Sequence, residues 1–322
     1  MDGAAYTLNS KTASFGRGGD MTDSSTGLGN KRPFVLGIMS VYNERDIIEY
    51  TILHMRAQQV PLIVIDNGST DGSYEILEKY LDHGIAELTT MKTEFFEIGL
   101  LLRTLYGMAT NYNPEWLLVV HADEILESPF RSMTLKQAIQ LESSKGHNLI
   151  QFDNFEFWPT EMDKDDSEPD PTKRIRYYSW NDDWQFKCFK NYLGTNVDEA
   201  GGHLPIFPPN VKVSLAPEKF ILRHYAVRSY AQGMRKVDEM LARYTEHEKR
   251  KWGLKKYTKF GREESYFIID SSRLTRYDED GFWVVERKFD GHRGYGFPSL
   301  RSSVQIENEM ERLGRLIASR HQ

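Results

Sequence analysis

Two acidic segments hold the residues best suited to chemistry. Asp66 opens the run Asp66-Asn-Gly-Ser-Thr-Asp-Gly72, and His121-Ala-Asp-Glu124 forms the second. Each follows an apolar stretch, Leu62-Ile-Val-Ile65 and Trp116-Leu-Leu-Val-Val120. Acids placed just beyond the C-terminal ends of buried strands face the mouth of an α/β sheet, where such sheets bind ligands. Asp66 can accept a hydrogen bond from the imide N–H of a pyrimidine, while Asn43 and Glu44 leave an earlier strand at the same mouth. Gly68 and Gly72 permit a tight backbone there. Asp123 is the better hard-metal ligand of its cluster. His121 could be a further ligand or touch the nucleotide.

One carboxylate corner could thus grip a nucleoside and the other a cation with its diphosphate. A departing diphosphate needs its developing charge neutralised, and a hydroxyl acceptor needs a general base. His224, at the end of the apolar run Phe220-Ile-Leu-Arg-His224, could complete a His/Asp metal shell. His203 follows two glycines, which suggest a close approach to the backbone. Each signal has a plainer reading. The Asp66 run is also a turn and helix cap, His121 to Glu124 is also an acidic loop, and a histidine in an apolar strand is usually a satisfied core residue.

The elements that would position these groups follow from periodicity. Phe34 to Val41 reads as a strand covered on both faces, followed by a helix with Ile47, Ile48, Thr51, Ile52 and Met55 inward. Leu62 to Ile65 is a second strand, and Ser69 or Thr70 can cap a helix bearing Tyr74, Leu77, Tyr80 and Leu81. A third helix spans Glu94 to Met108 with Phe95, Ile98, Leu102 and Leu105 inward, and Trp116 to Val120 is another buried strand. A helix over Thr134 to Glu142, a strand over Leu149 to Phe157 and a mobile loop over Pro159 to Lys173 come next. Trp184, Phe186 and Cys188 alternate with Gln185 and Lys187, as in a half-exposed strand. A long helix carries Tyr230, Met234, Val237, Leu241 and Tyr244, and Val304 to Ile317 reads as a further helix. Strands alternating with helices give a mostly parallel, doubly wound α/β sheet.

Bulk properties narrow the classes. The 322 residues carry a net charge of −6, which argues against a general nucleic-acid binder. The single cysteine, Cys188, forbids an intrachain disulfide and fits a reducing, cytoplasmic setting. No apolar run approaches the length of a membrane span, roughly 20 residues. Met1 to Lys31 is rich in Gly, Ser, Thr and Asp and reads as a flexible lead outside the fold. Lys249 to Lys259, basic and aromatic, could touch anionic head groups, although a solvated helix face is the commoner meaning.

From Pro33 to about Tyr230 the chain resembles family 2 glycosyltransferases with the GT-A fold. Val41-Tyr-Asn-Glu44 looks like their opening strand motif, Asp66 to Gly72 like their base-binding loop, and His121-Ala-Asp-Glu124 falls where they carry Asp-x-Asp. Lys187-Cys-Phe-Lys190, Gly202-His203 and Leu222-Arg-His-Tyr225 look like later landmarks of the branch resembling bacterial lipopolysaccharide-core transferases. The resemblance implies a lead over 1–31, a catalytic domain over 32–228 and a helical, acceptor-side extension over 229–322. It places the nucleotide at Val41, Asn43, Glu44, Asp66, Gly68, His121 and Ala122. The metal, Mn²⁺ or Mg²⁺, falls to Asp123 and His224 with His121, and Glu124 and His203 lie beside donor and acceptor. It also implies inversion at the anomeric carbon.

Two positions depart from the pattern: His121 stands for the first Asp of Asp-x-Asp, and Leu204 follows His203 where a Glu is usual. Glu199 and Asp198 are the candidates for the base, with Asp182 and Asp183 behind them. The leading reading is an inverting, metal-dependent transferase moving a sugar from a nucleotide-diphosphate donor, UDP favoured, to a glycan, glycolipid or other hydroxyl acceptor. A sugar-nucleotide-binding module without turnover is the alternative. A nucleotidyltransferase is disfavoured, because Val41 to Asp46 has one arginine and no glycine to hold a triphosphate.

Overall fold

The computed structural model describes residues 9–12, 32–163, 168–197, 199–246, 249 and 262–277, excepting the side chains of 9, 10, 12, 182–184, 199 and 200. The strands are β1 (Asn9–Thr12), β2 (Val35–Val41), β3 (Leu62–Asp66), β4 (Ile85–Thr90), β5 (Trp116–His121), β6 (Glu124–Glu127), β7 (Leu149–Trp158), β8 (Tyr177–Lys190), β9 (Phe220–His224) and β10 (Thr275–Arg276). They form one sheet in the order β1-β4-β3-β2-β5-β8-β7-β9-β6, with β10 beside β8. β4, β3, β2 and β5 are a parallel block. β5–β8, β7–β8 and β6–β9 are antiparallel, and β7–β9 is parallel. The sheet is therefore mixed, with the parallel block at the expected GT-A position.

Alternation along β2 divides the core. Val35, Met39 and Val41 face one side, with Ile48, Ile52 and Met55 of α1 (Ile48–Ala57), Leu77 of α2 (Ser73–Lys79) and Leu135 and Ile139 of α4 (Leu135–Ser144). Leu36 and Ile38 face the other, against Leu101, Leu102, Leu105 and Ala109 of α3 (Ile98–Thr110). A third cluster joins Ile47, Phe155, Phe157, Tyr178 and Tyr225. Thr134 caps α4 through a capping box with Gln137.

Several expectations need correction. Ser69 and Thr70 do not cap α2: Ser69 Oγ accepts from Asn43 N, and Thr70 N donates to Asn43 Oδ1. The cap is Gly72, at φ 100°. Phe95 lies before α3 and is 41% exposed. β8 is not half-exposed: Cys188 packs in one core cluster and Phe186 in the other, and Gln185 and Lys187 are buried with them. Within Pro159 to Lys173 a short helix, α5 (Pro171–Arg174), is capped by Asp170. β1 pairs with β4 although the lead is poor in apolar residues, because backbone pairing at a sheet edge needs few. The helix read over Val304 to Ile317 and most of the Lys249 to Lys259 stretch lie outside the described residues. Among those described, no helix is long and apolar enough to cross a membrane.

Candidate active site

Register brings the two acidic corners to one edge. In the parallel block Val41 is opposite Asp66, Asp66 opposite Thr90 and Ser40 opposite His121, so these strands end in one row. The loop after β2 is locked to the loop after β3 through Asn43, which sits at φ 54°. Glu44 N donates to Ser73 Oγ at 2.9 Å, tying the same loop to α2.

At the first corner Asp66 Oδ2 accepts from Gly68 N at 3.0 Å and Ser69 N at 3.1 Å. Its Oδ1 is buried and has no partner, and burial pushes the carboxyl above its ordinary value. A free acceptor held out of water fits an incoming N–H donor. Gly68, at φ 79°, keeps the loop tight against Lys92, whose Cγ would lie 2.9 Å from an added Cβ. Asn67 Nδ2 and Arg243 Nη1 are buried donors without partners. Both side chains meet at Thr93, where Asn67 Oδ1 accepts from the hydroxyl and Arg243 Nη2 donates to the carbonyl at 3.1 Å. The Arg243 guanidinium also lies 3.9 Å from the centroid of the Tyr42 ring. Ala122 is buried, and its carbonyl accepts from Thr51 Oγ1.

At the second corner β6 and β7 flank β9, placing Glu124 and Glu156 opposite His224. His224 Nδ1 meets Glu156 Oε2 at 2.9 Å, while Nε2 lies 3.5 Å from Asp123 Oδ2. Burial alone would lower His224, but Glu156 and Asp123 together raise it well above an ordinary histidine. Burial would raise Asp123, but Lys236 and His224 hold it well below the usual carboxylate range. Lys236 donates to Asp123 Oδ2 at 2.6 Å and to Glu44 Oε1 at 3.0 Å. Arg228, buried, reaches Glu44 and pairs with Asp46 at 2.8 Å. Glu44 therefore meets two cations.

Deeper in the cleft Lys187, fully buried, donates to both Glu124 oxygens. His121 Nδ1 lies 3.1 Å from Lys187 Nζ and from Glu124 Oε1, and its Nε2 is buried without a partner. The His203 ring is 5.2 Å from that of His121, and burial, then the charge of Lys187, lowers it to about 2. His121, Glu124 and His203 bring ligand atoms within 4.8 Å of one another. Glu124 of this trio carries the Lys187 ammonium. Asp123 and His224 are a second candidate pair, with Glu156 fixing the imidazole from behind and Nε2 facing the carboxylate. Here too an ammonium, that of Lys236, sits on Asp123 Oδ2 and would have to give way to a cation. Of the glycines before His203, Gly202 is approached by the core, where an added Cβ would lie 2.9 Å from Val119 Cγ1, while one at Gly201 would meet nothing within 4 Å. Asp198 and the side chains of Glu199, Asp182 and Asp183 lie outside what is described.

As site residues Glu156, Arg228, Lys236 and Arg243 escaped the sequence reading, and Lys187 entered it only within the Lys187-Cys-Phe-Lys190 landmark. Lys187 left a usable signal, a lysine amid Phe186, Cys188 and Phe189 in a strand with no room for a charged face. The helix α6 (Tyr230–Arg243) brings Lys236 to Glu44 and Asp123 and Arg243 to Thr93, on the loops after β2, β5 and β4.

The mixed, mostly parallel sheet with its helices is consistent with a glycosyltransferase of the GT-A kind. Residues 38–191 match the family model for Glycosyl transferase family 2. Among solved structures the chain is similar to S. aureus TarS 1-349, with 15% identity, 72% of this chain and 74% of that chain covered, and a TM-score of 0.34. No curated protein matches it.

Proposed function

We propose that this enzyme transfers a sugar from a nucleotide-diphosphate donor, UDP in the first instance, to a hydroxyl of a glycan, glycolipid or other acceptor, with inversion. The observation that carries this reading is the buried, unpartnered Asp66 Oδ1 at the end of β3, beside a row of strand ends that also carries His121 and leads into Asp123. An imide N–H supplies the donor that oxygen lacks, and uracil offers one. Asn67 Nδ2 and Arg243 Nη1 are buried donors on the same side of the site, suited to base carbonyls.

Asp123 and His224 would hold Mn²⁺ or Mg²⁺, and such a cation would neutralise charge on the departing diphosphate. The residues of the chain do the rest. Asp66 orients the base, Asn43 keeps the two loops in register, and Glu156 holds the His224 ring. Lys187 keeps Glu124 ionised and fixed beneath His121. A carboxylate must take the acceptor proton as its oxygen attacks the anomeric carbon opposite the leaving nucleotide. Glu199 and Asp198 are the proposed sources, supported by the short turn Glu199–Gly202, which leads directly into His203 beside His121. Inversion follows from a single displacement.

A thermal-shift panel of nucleotide sugars, with and without Mn²⁺, tests the proposal. One nucleotide class should stabilise the protein, and Asp123→Ala should remove the Mn²⁺-dependent part of the shift. Indifference to every nucleotide would refute it. The basic-aromatic stretch supports a further proposal of peripheral contact with anionic lipid, tested by vesicle sedimentation of the wild type against charge reversal at Lys255 and Lys256.

A further inference from the structure

Lys236 stands at the centre of the site, yet neither the nucleoside corner nor the metal pair requires it. Its helix is pinned at both ends. At the start, Ser229 caps α6, Gln232 Oε1 accepts from Arg228 N at 2.9 Å, and Arg228 is buried against Glu44 and Asp46. At the end, Arg243 grips Thr93 and Tyr42, and its carbonyl accepts from Phe96 N at 2.9 Å. Between them Asn43 Nδ2 donates to Glu239 at 2.7 Å. A helix fixed at three places presents its lysine in one position rather than letting it roam.

We propose that Lys236 is a tethered counter-cation for the donor's diphosphate, seated between the loop that leads to the base and the acid that begins the second corner. This rests on the reading of the site as one for a nucleotide sugar. An ammonium has three donors. Two are engaged by Asp123 and Glu44, which leaves the third for a phosphate oxygen. Its side chain is 29% exposed, so that the third direction is reachable from the cleft. A diphosphate joins a base held at Asp66 to a sugar near Asp123, and Lys236 bridges Glu44, on the loop after β2, to that same Asp123. Because the cation belongs to the chain, this part of donor binding needs no added metal.

The test titrates uridine and UDP, in EDTA, into wild type, Lys236→Met and Lys236→Arg. Uridine affinity should be the same in all three. UDP affinity should fall at least about thirtyfold in Lys236→Met, as for a lost charged hydrogen bond, and stay within about fivefold in Lys236→Arg. UDP binding by Lys236→Met as tight as the wild type's would overturn the proposal. So would wild-type UDP binding no tighter than uridine in EDTA. Equal loss of uridine and UDP in Lys236→Met would show a structural lysine and overturn it too. If uridine and UDP both fail to bind the wild type, the nucleotide reading itself fails, and this inference with it.

Discussion

Asp66→Asn separates the role of the first corner from its contribution to folding. In the native protein Oδ2 accepts two backbone N–H bonds, and Oδ1 is buried with no partner. An asparagine can turn its single oxygen to the Gly68 and Ser69 amides, which leaves its NH₂ where Oδ1 stood. That NH₂ would then face the imide N–H of the base, donor against donor. The charged bond lost is worth about 1.5–3 kcal/mol, and the unpaired donor costs about 1–3 kcal/mol more. Together they amount to about 3 kcal/mol or more, a fall on the order of 100-fold in UDP affinity by calorimetry.

Stability should behave differently. Burial raises the Asp66 carboxyl, so the native chain holds this proton more tightly than the unfolded one. The cost of its ionisation is absent below the unfolded pKa and grows as pH rises past it. Asparagine removes that cost at pH 8 and so offsets its own unpaired NH₂. The melting temperature should move by less than about 2 °C, equivalent to about 1 kcal/mol. UDP binding within threefold of wild type, or collapse of the fold, would refute the reasoning.

Three other perturbations probe the same frame. Lys187→Met leaves Glu124 charged and buried without its counter-ion, and should cost about 3–5 kcal/mol in denaturant unfolding, with much of it recovered when Glu124→Gln is added; an unchanged midpoint would contradict the buried pair. Glu156→Gln should weaken Mn²⁺ binding about 10- to 100-fold by electron paramagnetic resonance while UDP affinity in EDTA stays constant. Gly233→Ala pushes a Cβ into the Phe267 ring, and overpacking of about 1–3 kcal/mol outweighs the helix gain of about 1 kcal/mol. The variant should therefore melt lower and be cleaved sooner by trypsin at Arg262 and Arg273.

The legible parts of this protein are those set by local pattern. The runs of Phe34 to Val41, Leu62 to Ile65 and Trp116 to Val120 announce buried parallel strands, and the acids at their ends announce a mouth. The pattern is silent on what a helix packs against. Of the apolar stripe read on α6 only Val237 is buried, with Gln232 and Gly233, while Tyr230 is 38% exposed, and only the fold shows that the helix carries Lys236 to Asp123 and Arg243 to Thr93. Nor does alternation detect Lys187, because apolar clusters cover β8 on both faces, Cys188 in one and Phe186 and Phe189 in the other, and polar residues there need partners from distant strands. Glu156 belongs to the site through the register of β7 with β9, which no spacing in the chain encodes. β6 is four residues long and begins inside the acidic cluster, where the chain reads as loop.

The most direct measurement is a crystal structure with UDP bound. It should show the uracil imide on Asp66 Oδ1 and the diphosphate running past Lys236 toward Asp123. UDP lodged elsewhere, with Asp66 Oδ1 still unpartnered, would contradict this account.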